Sequence, residues 1–376
     1  KMVSVLIDGL VARGARVTVL VPGTWAAATL RRREAHNIVI YERRLRMPFV
    51  QESMLRGFIG WLFEVPKTLR DLRRICARHG IEVIHVHTAT NYVYWFRLLR
   101  LIGGPPYVIT FHRGDVVDFP ERSCVDRALI RWSLAGAAAT NAVSRWLAEE
   151  ARRRFPGLCD PVHIYNGMDR TARASGLRPA EDASALSAIP NEPYFVMVGT
   201  FDPYKGHDIA IRAWGLLPAD DRPHLLIVGD GELRRTYLDL IDRLGCSAWI
   251  HMMGQLPNED VQRIMRSSLG MIFPSRNEGF GYVILEAGLA GTAVLCSRIP
   301  PFDEIVTDGE SGLLVPPEDP QALADAVRRL SVDPALRRRL GENLRRDVET
   351  RFSTEAMTEG YIELFEAVRD RRPVPR

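Results

Sequence analysis

The sequence predicts an α/β protein built from two Rossmann-like, doubly wound parallel-sheet domains facing across a cleft. Three observations carry that expectation. Short β-branched runs alternate with longer amphipathic stretches along the whole chain, which is the rhythm of βαβ units. The runs are continuously apolar rather than alternating, as suits strands buried on both faces. The length, 376 residues, is also large for a single hydrophobic core.

The chain opens "KMVSVLIDGLVARGARVTVLVPG", a helix followed by a strand. A doubly wound domain ordinarily begins with a strand and a tight glycine turn. No such unit opens this sequence: either it is truncated at its start, which is the expectation preferred, or the protein departs from the usual order. Strand-like runs follow at 16–22, 37–41, 81–87, 106–112, 138–144 and 162–167. A second series lies at 193–199, 224–231, 248–254, 269–275, 292–297 and 312–316, with helix-like stretches such as "AIRAWGLLP" and "EDVQRIMRSS" between. Residues 169–192, rich in Ala, Ser, Pro and charge, break the rhythm and read as a linker. Residues 1–168 then form the first domain and 193–355 the second. Residues 356–376 form an amphipathic helix and basic tail that packs back toward the first domain.

Composition narrows the class. Hydrophobic residues make up 46% and charged residues 26%, ordinary for a soluble globular chain. No uninterrupted apolar run approaches the roughly 20 residues of a membrane-spanning helix, and no secretory signal is visible. The five cysteines are scattered, without CxxC spacing, and read as reduced core thiols of a cytoplasmic protein. The net charge of +4 hides an asymmetry: residues 1–180 hold 28 Lys and Arg against 15 Asp and Glu, whereas residues 181–376 hold 22 against 31. A basic half attracts phosphate-bearing partners. It contains "RRR" (31–33), "ERRLRMPF" (42–49) and "SMLRGFIGWLF" (53–63). Two readings of that region stand. Arginines beside an aromatic-rich segment suit an anionic membrane surface or a lipid-linked diphosphate; alternatively, Phe58, Trp61, Leu62 and Phe63 pack a core helix. No aromatic–basic reading motif points to nucleic acid.

The second half carries the sharper signal. In "FPSRNEGFGYVILEAGLAG" (273–291), Glu278 and Glu286 stand eight apart. Spacing alone decides nothing, because Glu34/Glu42, Glu310/Glu318 and Glu355/Glu363 share it. Context does. A buried strand precedes Glu278, so Glu278 lies at a carboxyl end, where open α/β sheets bind ligands. Gly279 and Gly281 allow close backbone approach at a helix start that favours an anion. Glu286 sits in that helix among apolar neighbours, placed to accept hydrogen bonds from hydroxyls. "VMVGTFDPYKG" (196–206) adds Gly199, Thr200 and Lys205 beyond another strand; a lysine there neutralises a diphosphate as a point charge. "IVGDGE" (227–232) adds a strand-end turn at Gly229. No clear D-x-D metal motif stands at these ends, so metal independence is expected, with Lys205 and helix-start amides steadying the diphosphate.

These pieces together resemble the family 4 glycosyltransferases, retaining enzymes of the GT-B fold. The matching segments are "SRNEGFGYVILEAGLAGTAVLCS", "VGTFDPYKG", "LLIVGDGE" and "EIVTDGESGLLVPPED", and more loosely "LVARGARVTVLVPG", "VIHVHT", "VITFH" and "IYNGMD". The resemblance implies that Glu278 holds hydroxyls of a donor sugar and Glu286 the ribose of its nucleotide. It implies that Phe280 and Gly281 present amides near the sugar and diphosphate, and that Lys205 binds the diphosphate. His112, ending "VITFH", matches a histidine facing the sugar from the first domain, so Glu278, His112 and Lys205 are the implied catalytic set. The base would lie near "HMMG" (251–254), which includes Met253. Thr200 departs from the arginine that many members carry. The implied reaction moves a hexose from a nucleotide diphosphate sugar to an acceptor hydroxyl, without a cofactor. The expected acceptor is a sugar or a lipid-linked precursor of cell-surface polysaccharide, met at the inner face of the membrane. A nucleotide-sugar epimerase and a catalytically silent nucleotide-sugar-binding subunit are the rival readings.

Overall fold

The computed structural model describes residues 2–22, 31–35, 38–46, 54–168 and 189–374. Most of the expected linker, residues 169–188, lies outside them, as do 47–53 of the basic region. The chain divides into two compact units, Lys1–Tyr165 with Met357–Arg376, and Asn166–Ala356.

The first unit opens with helix α1 (Met2–Ala12), which buries Val5, Leu6 and Leu10. Strands β1 (Thr18–Pro22), β2 (Arg31–Ala35) and β3 (Ile38–Arg43) form a three-stranded sheet in the order β1-β3-β2. β1 and β3 run parallel, whereas β2 is antiparallel to β3. β2, "RRREA", has no apolar run, so the pattern that marks the other strands passes over it. Helix α2 (Met54–His79) leads to a separate four-stranded parallel sheet of β4 (Ile84–His87), β5 (Tyr107–Phe111), β6 (Ala139–Ala142) and β7 (Val162–His163). Its helices are α3 (Tyr94–Leu101), α4 (Arg113–Val116), α5 (Cys124–Leu134) and α6 (Arg145–Arg154). Ser123 and Ser144 start α5 and α6 by accepting from the amides of Asp126 and Leu147, at 3.1 and 3.2 Å.

The second unit holds one six-stranded, all-parallel sheet. Its strands are β8 (Tyr194–Val198), β9 (His224–Val228), β10 (Ile250–Gly254), β11 (Gly270–Phe273), β12 (Val294–Ser297) and β13 (Leu313–Val315). They run in the order β10-β9-β8-β11-β12-β13. Chain order therefore reverses between β8 and β11, where Gly270 pairs with Phe195 and Met271 with Val196. Helices α7 (His207–Leu216), α8 (Arg234–Arg243), α9 (Asn258–Ser267), α10 (Tyr282–Ala290), α11 (Phe302–Ile305), α12 (Pro320–Val332) and α13 (Pro334–Arg351) complete it. The core joins Phe195, Met197, Ile227, Ile272 and Leu295 of the strands to Trp214 of α7 and Leu323 and Val327 of α12.

Helix α14 (Thr354–Arg369) ends the described fold, and its residues from Met357 onward belong to the first unit. Met357, Tyr361, Leu364 and Val368 share a core with Val5, Leu6 and Leu10 of α1 and Val108 of β5. The hydroxyl of Tyr361 accepts from Asn141 Nδ2 at 3.1 Å and lies 3.3 Å from Thr110 Oγ1. Thr110 in turn donates to Asn141 Oδ1 at 2.7 Å. All three residues are buried. Tyr361→Phe strips the hydroxyl from this closed network and leaves an Asn141 donor buried without its partner. It should destabilise the first unit by about 1–3 kcal/mol, read as a lower denaturant midpoint followed by the intrinsic fluorescence of that unit.

Candidate functional site

The reversal between β8 and β11 makes a switch point, and ligands of open α/β sheets bind outside the carboxyl ends of the strands there. The loops leaving these two strands carry most of the residues singled out from the sequence. After β8 come Gly199, Thr200 and a short helical turn, Pro203–Lys205. Gly206 follows with φ +75, and a Cβ there would lie 2.0 Å from the carbonyl oxygen of Pro274. Only glycine lets the turn press against the segment that leaves β11. After β11 the chain runs through Ser275, Arg276 and Glu278 to Gly281, which starts α10.

The two loops meet in an ion pair. Lys205 Nζ lies 2.5 Å from Glu278 Oε1, with side chains only 17% and 11% exposed. Ser275 Oγ also approaches Glu278 Oε1, at 3.4 Å. The ammonium stands 5.3 and 5.4 Å from the ring centroids of Tyr204 and Phe273, adding cation–π attraction. The structure thus brings together the residues assigned to sugar and diphosphate, and balances their charges within the protein.

The other donor-side residues take separate places. Gly229, with φ +145, packs on the preceding loop: a Cβ there would sit 1.9 Å from the carbonyl oxygen of Gly199. Gly199 N donates to Val228 O at 3.0 Å and Gly229 N to Gly254 O at 2.8 Å, stacking the ends of β8, β9 and β10. Met253, near the end of β10, is half-buried. Phe280 is buried with its ring 5.9 Å from that of Phe352. Gly279 and Glu286 are half-buried, Glu286 within α10. Thr200 is exposed and its hydroxyl donates to Asp202.

His112 belongs to the first unit, at the carboxyl end of β5, where it begins α4. Its surroundings are richer than the sequence reading showed. The His87 ring, ending β4, lies 6.1 Å from the His112 ring and 4.1 Å from that of His85. His85 Nε2 is 2.6 Å from Thr110 Oγ1. Burial pushes His112 below its ordinary value, His87 down to about 4, and His85 well below 6.5. All three rings are neutral at pH 7, so His112 can exchange hydrogen bonds with a hydroxyl but brings no positive charge. Thr88, just past β4, has φ +79, a strained conformation for a β-branched residue.

Asp115 joins the two loops. It is 3% exposed and accepts from the backbone amides of His112, at 2.9 Å, and of Ala89. Burial pushes its carboxyl up to about 6, against the pull of those amides and of Arg122, 3.7 Å away. The sequence reading missed His87, Thr88 and Asp115. A second histidine at a strand end and an aspartate three residues past His112 were the visible signs.

Two family models tile the chain. The Glycosyl transferases group 1 model matches residues 180–347, and the Glycosyl transferase 4-like domain matches residues 1–167. The chain belongs to the group 1 glycosyltransferases. An uncharacterized glycosyltransferase of Methanocaldococcus jannaschii is 26% identical to this glycosyltransferase over 298 residues, 79% of each chain. N-acetyl-alpha-D-glucosaminyl L-malate synthase of Bacillus anthracis is 24% identical, over 78% of this chain and 77% of its own. Among solved structures, sucrose-phosphate synthase of Thermosynechococcus elongatus superposes with a TM-score of 0.75 at 25% identity, covering 96% of this chain and 91% of that one. The Anabaena HepE protein, solved with UDP and glucose, gives 0.73 at 20% identity, with 97% and 96% covered, a likeness of fold. The glycosyltransferase has the GT-B class of architecture, parallel sheets in two α/β units.

The sign of the Asp115 shift sets a pH test. Its folded value lies above the ordinary 3.8, so the folded state binds the proton more tightly. That contribution to stability is full below about pH 4 and is lost as pH rises through 6. Between pH 4 and 7 wild type should lose roughly 2–3 kcal/mol relative to Asp115→Asn, measured as the gap between their denaturation free energies.

Proposed function

We propose that this enzyme is a retaining, metal-independent hexosyltransferase that uses a nucleotide diphosphate sugar. The observation that carries the reading is the Lys205–Glu278 pair, a half-buried lysine against a buried glutamate, at the switch point of the second unit. A cation and a carboxylate side by side match a donor with an anionic diphosphate next to a hydroxyl-bearing sugar. The UDP and glucose held by the Anabaena protein support the same donor class.

In the proposed reaction the bond from the anomeric carbon to the diphosphate oxygen breaks as the acceptor oxygen bonds to that carbon on the same face. The acceptor proton passes to the departing diphosphate. Lys205 steadies the charge growing on that diphosphate, while Glu278 orients the sugar through its hydroxyls. Glu286 holds the ribose, and neutral His112 hydrogen-bonds a sugar hydroxyl. Phe280, Gly281, Gly199, Gly229 and Met253 shape the donor's bed. Glu278→Ala should lower kcat at least about 100-fold and leave the calorimetric Kd for UDP unchanged or tighter, since Lys205 is released to the phosphates. Glu286→Ala should weaken UDP by about tenfold. The reverse pattern overturns both roles.

For the acceptor we infer a lipid-linked saccharide met at an anionic membrane surface. The aromatic segment of α2 splits in two. Trp61 turns inward and donates from Nε1 to the Tyr94 hydroxyl at 2.9 Å. Ile59, Leu62 and Phe63 are exposed, Phe63 by 81%. Lys67, Arg70, Arg73, Arg74 and Arg78 continue as exposed residues along the helix. The side chain of Phe58 lies outside the described residues. An apolar patch running into a basic stripe suits the headgroup region of an anionic bilayer. Among the described residues no helix is long and apolar enough to cross a membrane. The protein should cosediment with vesicles containing phosphatidylglycerol, and Phe63→Ala or Arg70→Glu should reduce the bound fraction several-fold. Absence of binding at low salt removes the membrane reading.

A further inference from the structure

We propose that Arg276 is a positioning residue that fastens the Lys205 turn to the Glu278 loop, an inference that rests on the donor-site reading above. Its guanidinium is shared between two carboxylates on different segments. Nη1 and Nη2 donate to Asp208 Oδ1 and Oδ2, both at 2.8 Å, in a bidentate fork. The opposite edge donates to Glu318, through Nε and through Nη2 at 3.0 Å to Oε2. Nη1 also donates to the carbonyl of Pro203 at 2.6 Å, and the backbone amide of Arg276 donates to Tyr204 O at 2.7 Å. Three segments thus converge on one side chain: 203–208 after β8, 276–278 after β11, and Glu318 after β13.

The geometry ties this clamp to the chemistry. Lys205 lies between Pro203 and Asp208, both held by Arg276. Glu278 lies two residues beyond Arg276. The 2.5 Å Lys205–Glu278 contact is therefore set by segments that Arg276 holds in register. Misplacing a reacting group by about 1 Å costs on the order of 100-fold in rate. Exposed ion pairs contribute little singly, but here Arg276 and Asp208 are each only 29% exposed and the contacts form a network. Burial pushes the Asp208 carboxyl up, and the Arg276 fork outweighs it, holding that carboxyl below its ordinary range. A lysine cannot reproduce the clamp, because one point charge cannot span two carboxylates and a carbonyl.

The test is a double-variant cycle with a second, activity-free readout. Arg276→Lys should lower kcat about tenfold or more while the thermal midpoint moves by only a few degrees. In a Lys205→Ala background the same substitution should cost less than about twofold, because the residue it positions is gone. Hydrogen exchange without ligand should quicken at the amides of both 203–208 and 276–281 in Arg276→Ala. If Arg276→Ala does not fold, Glu318→Gln, at the 57%-exposed end of the clamp, should show the same paired loosening in weaker form. Full activity in Arg276→Lys, multiplicative losses in the double variant, or loosening confined to 276–281 would each overturn the proposal. A wild-type chain that transfers sugar from no nucleotide sugar overturns the functional reading instead, and the exchange experiment still decides the clamp.

Discussion

The second unit depends on one topological constraint: β8 and β11 are neighbours in the sheet, yet their connections leave in opposite directions. Parallel strands force every crossover to return over a face of the sheet. At such a reversal the two loops diverge to opposite faces, and open α/β sheets bind ligands in the opening between them. Each nearby feature answers that opening. Gly206 brings one loop within touching distance of the other, Gly229 stacks on Gly199, and Lys205 and Glu278 meet where the chain reverses.

Charge in the two units is handled differently. Lys205 and Glu278 face each other in one close ion pair, so each has an opposite partner where little of either side chain meets solvent. On the proposed reading, a donor inserting between them would exchange one pairing for another, which is less costly than desolvating a lone ion. At the end of β5 the opposite solution holds. His85, His87 and His112 are crowded and half-buried, and desolvation, with a smaller push from neighbouring rings on His85 and His87, lowers each below its ordinary value. That site supplies hydrogen bonds and shape rather than charge.

The sequence made most of the fold legible because parallel strands buried on both faces are apolar throughout. Every expected run holds a strand, from β1 at Thr18–Pro22 to β13 at Leu313–Val315. β2 escaped because "RRREA", which among the described residues pairs with β3 alone, carries charge rather than an apolar run. The first unit also departs from one continuous parallel sheet, with an antiparallel pair and two separate sheets. Glu278 could be chosen over three equally spaced pairs because a buried strand and a glycine-flanked helix surround it. Arg276 lies two residues earlier in the same motif and went unmarked: its partners, Asp208 and Glu318, are 68 and 42 residues away, and no local pattern encodes them. The same holds for Asp115, whose significance lies in the Ala89 amide of another loop. The α2 aromatics were divisible only in three dimensions, where Trp61 turns in and Phe63 turns out. Cys124 likewise is exposed rather than a core thiol.

The terminal helix has a consequence for how the protein is made. Tyr361 closes a network with Asn141 across 220 residues of sequence. A nascent chain reaches that partner only after the entire second unit has emerged from the ribosome. The second unit, continuous in sequence from Asn166 to Ala356, can complete its sheet during synthesis. The first unit must wait with the face made by α1 and β5 uncovered, and it bears the loop-closure entropy of a very long excursion. The half of the molecule synthesised first is thus the half finished last, and throughout translation it presents an apolar surface for chaperones to shield.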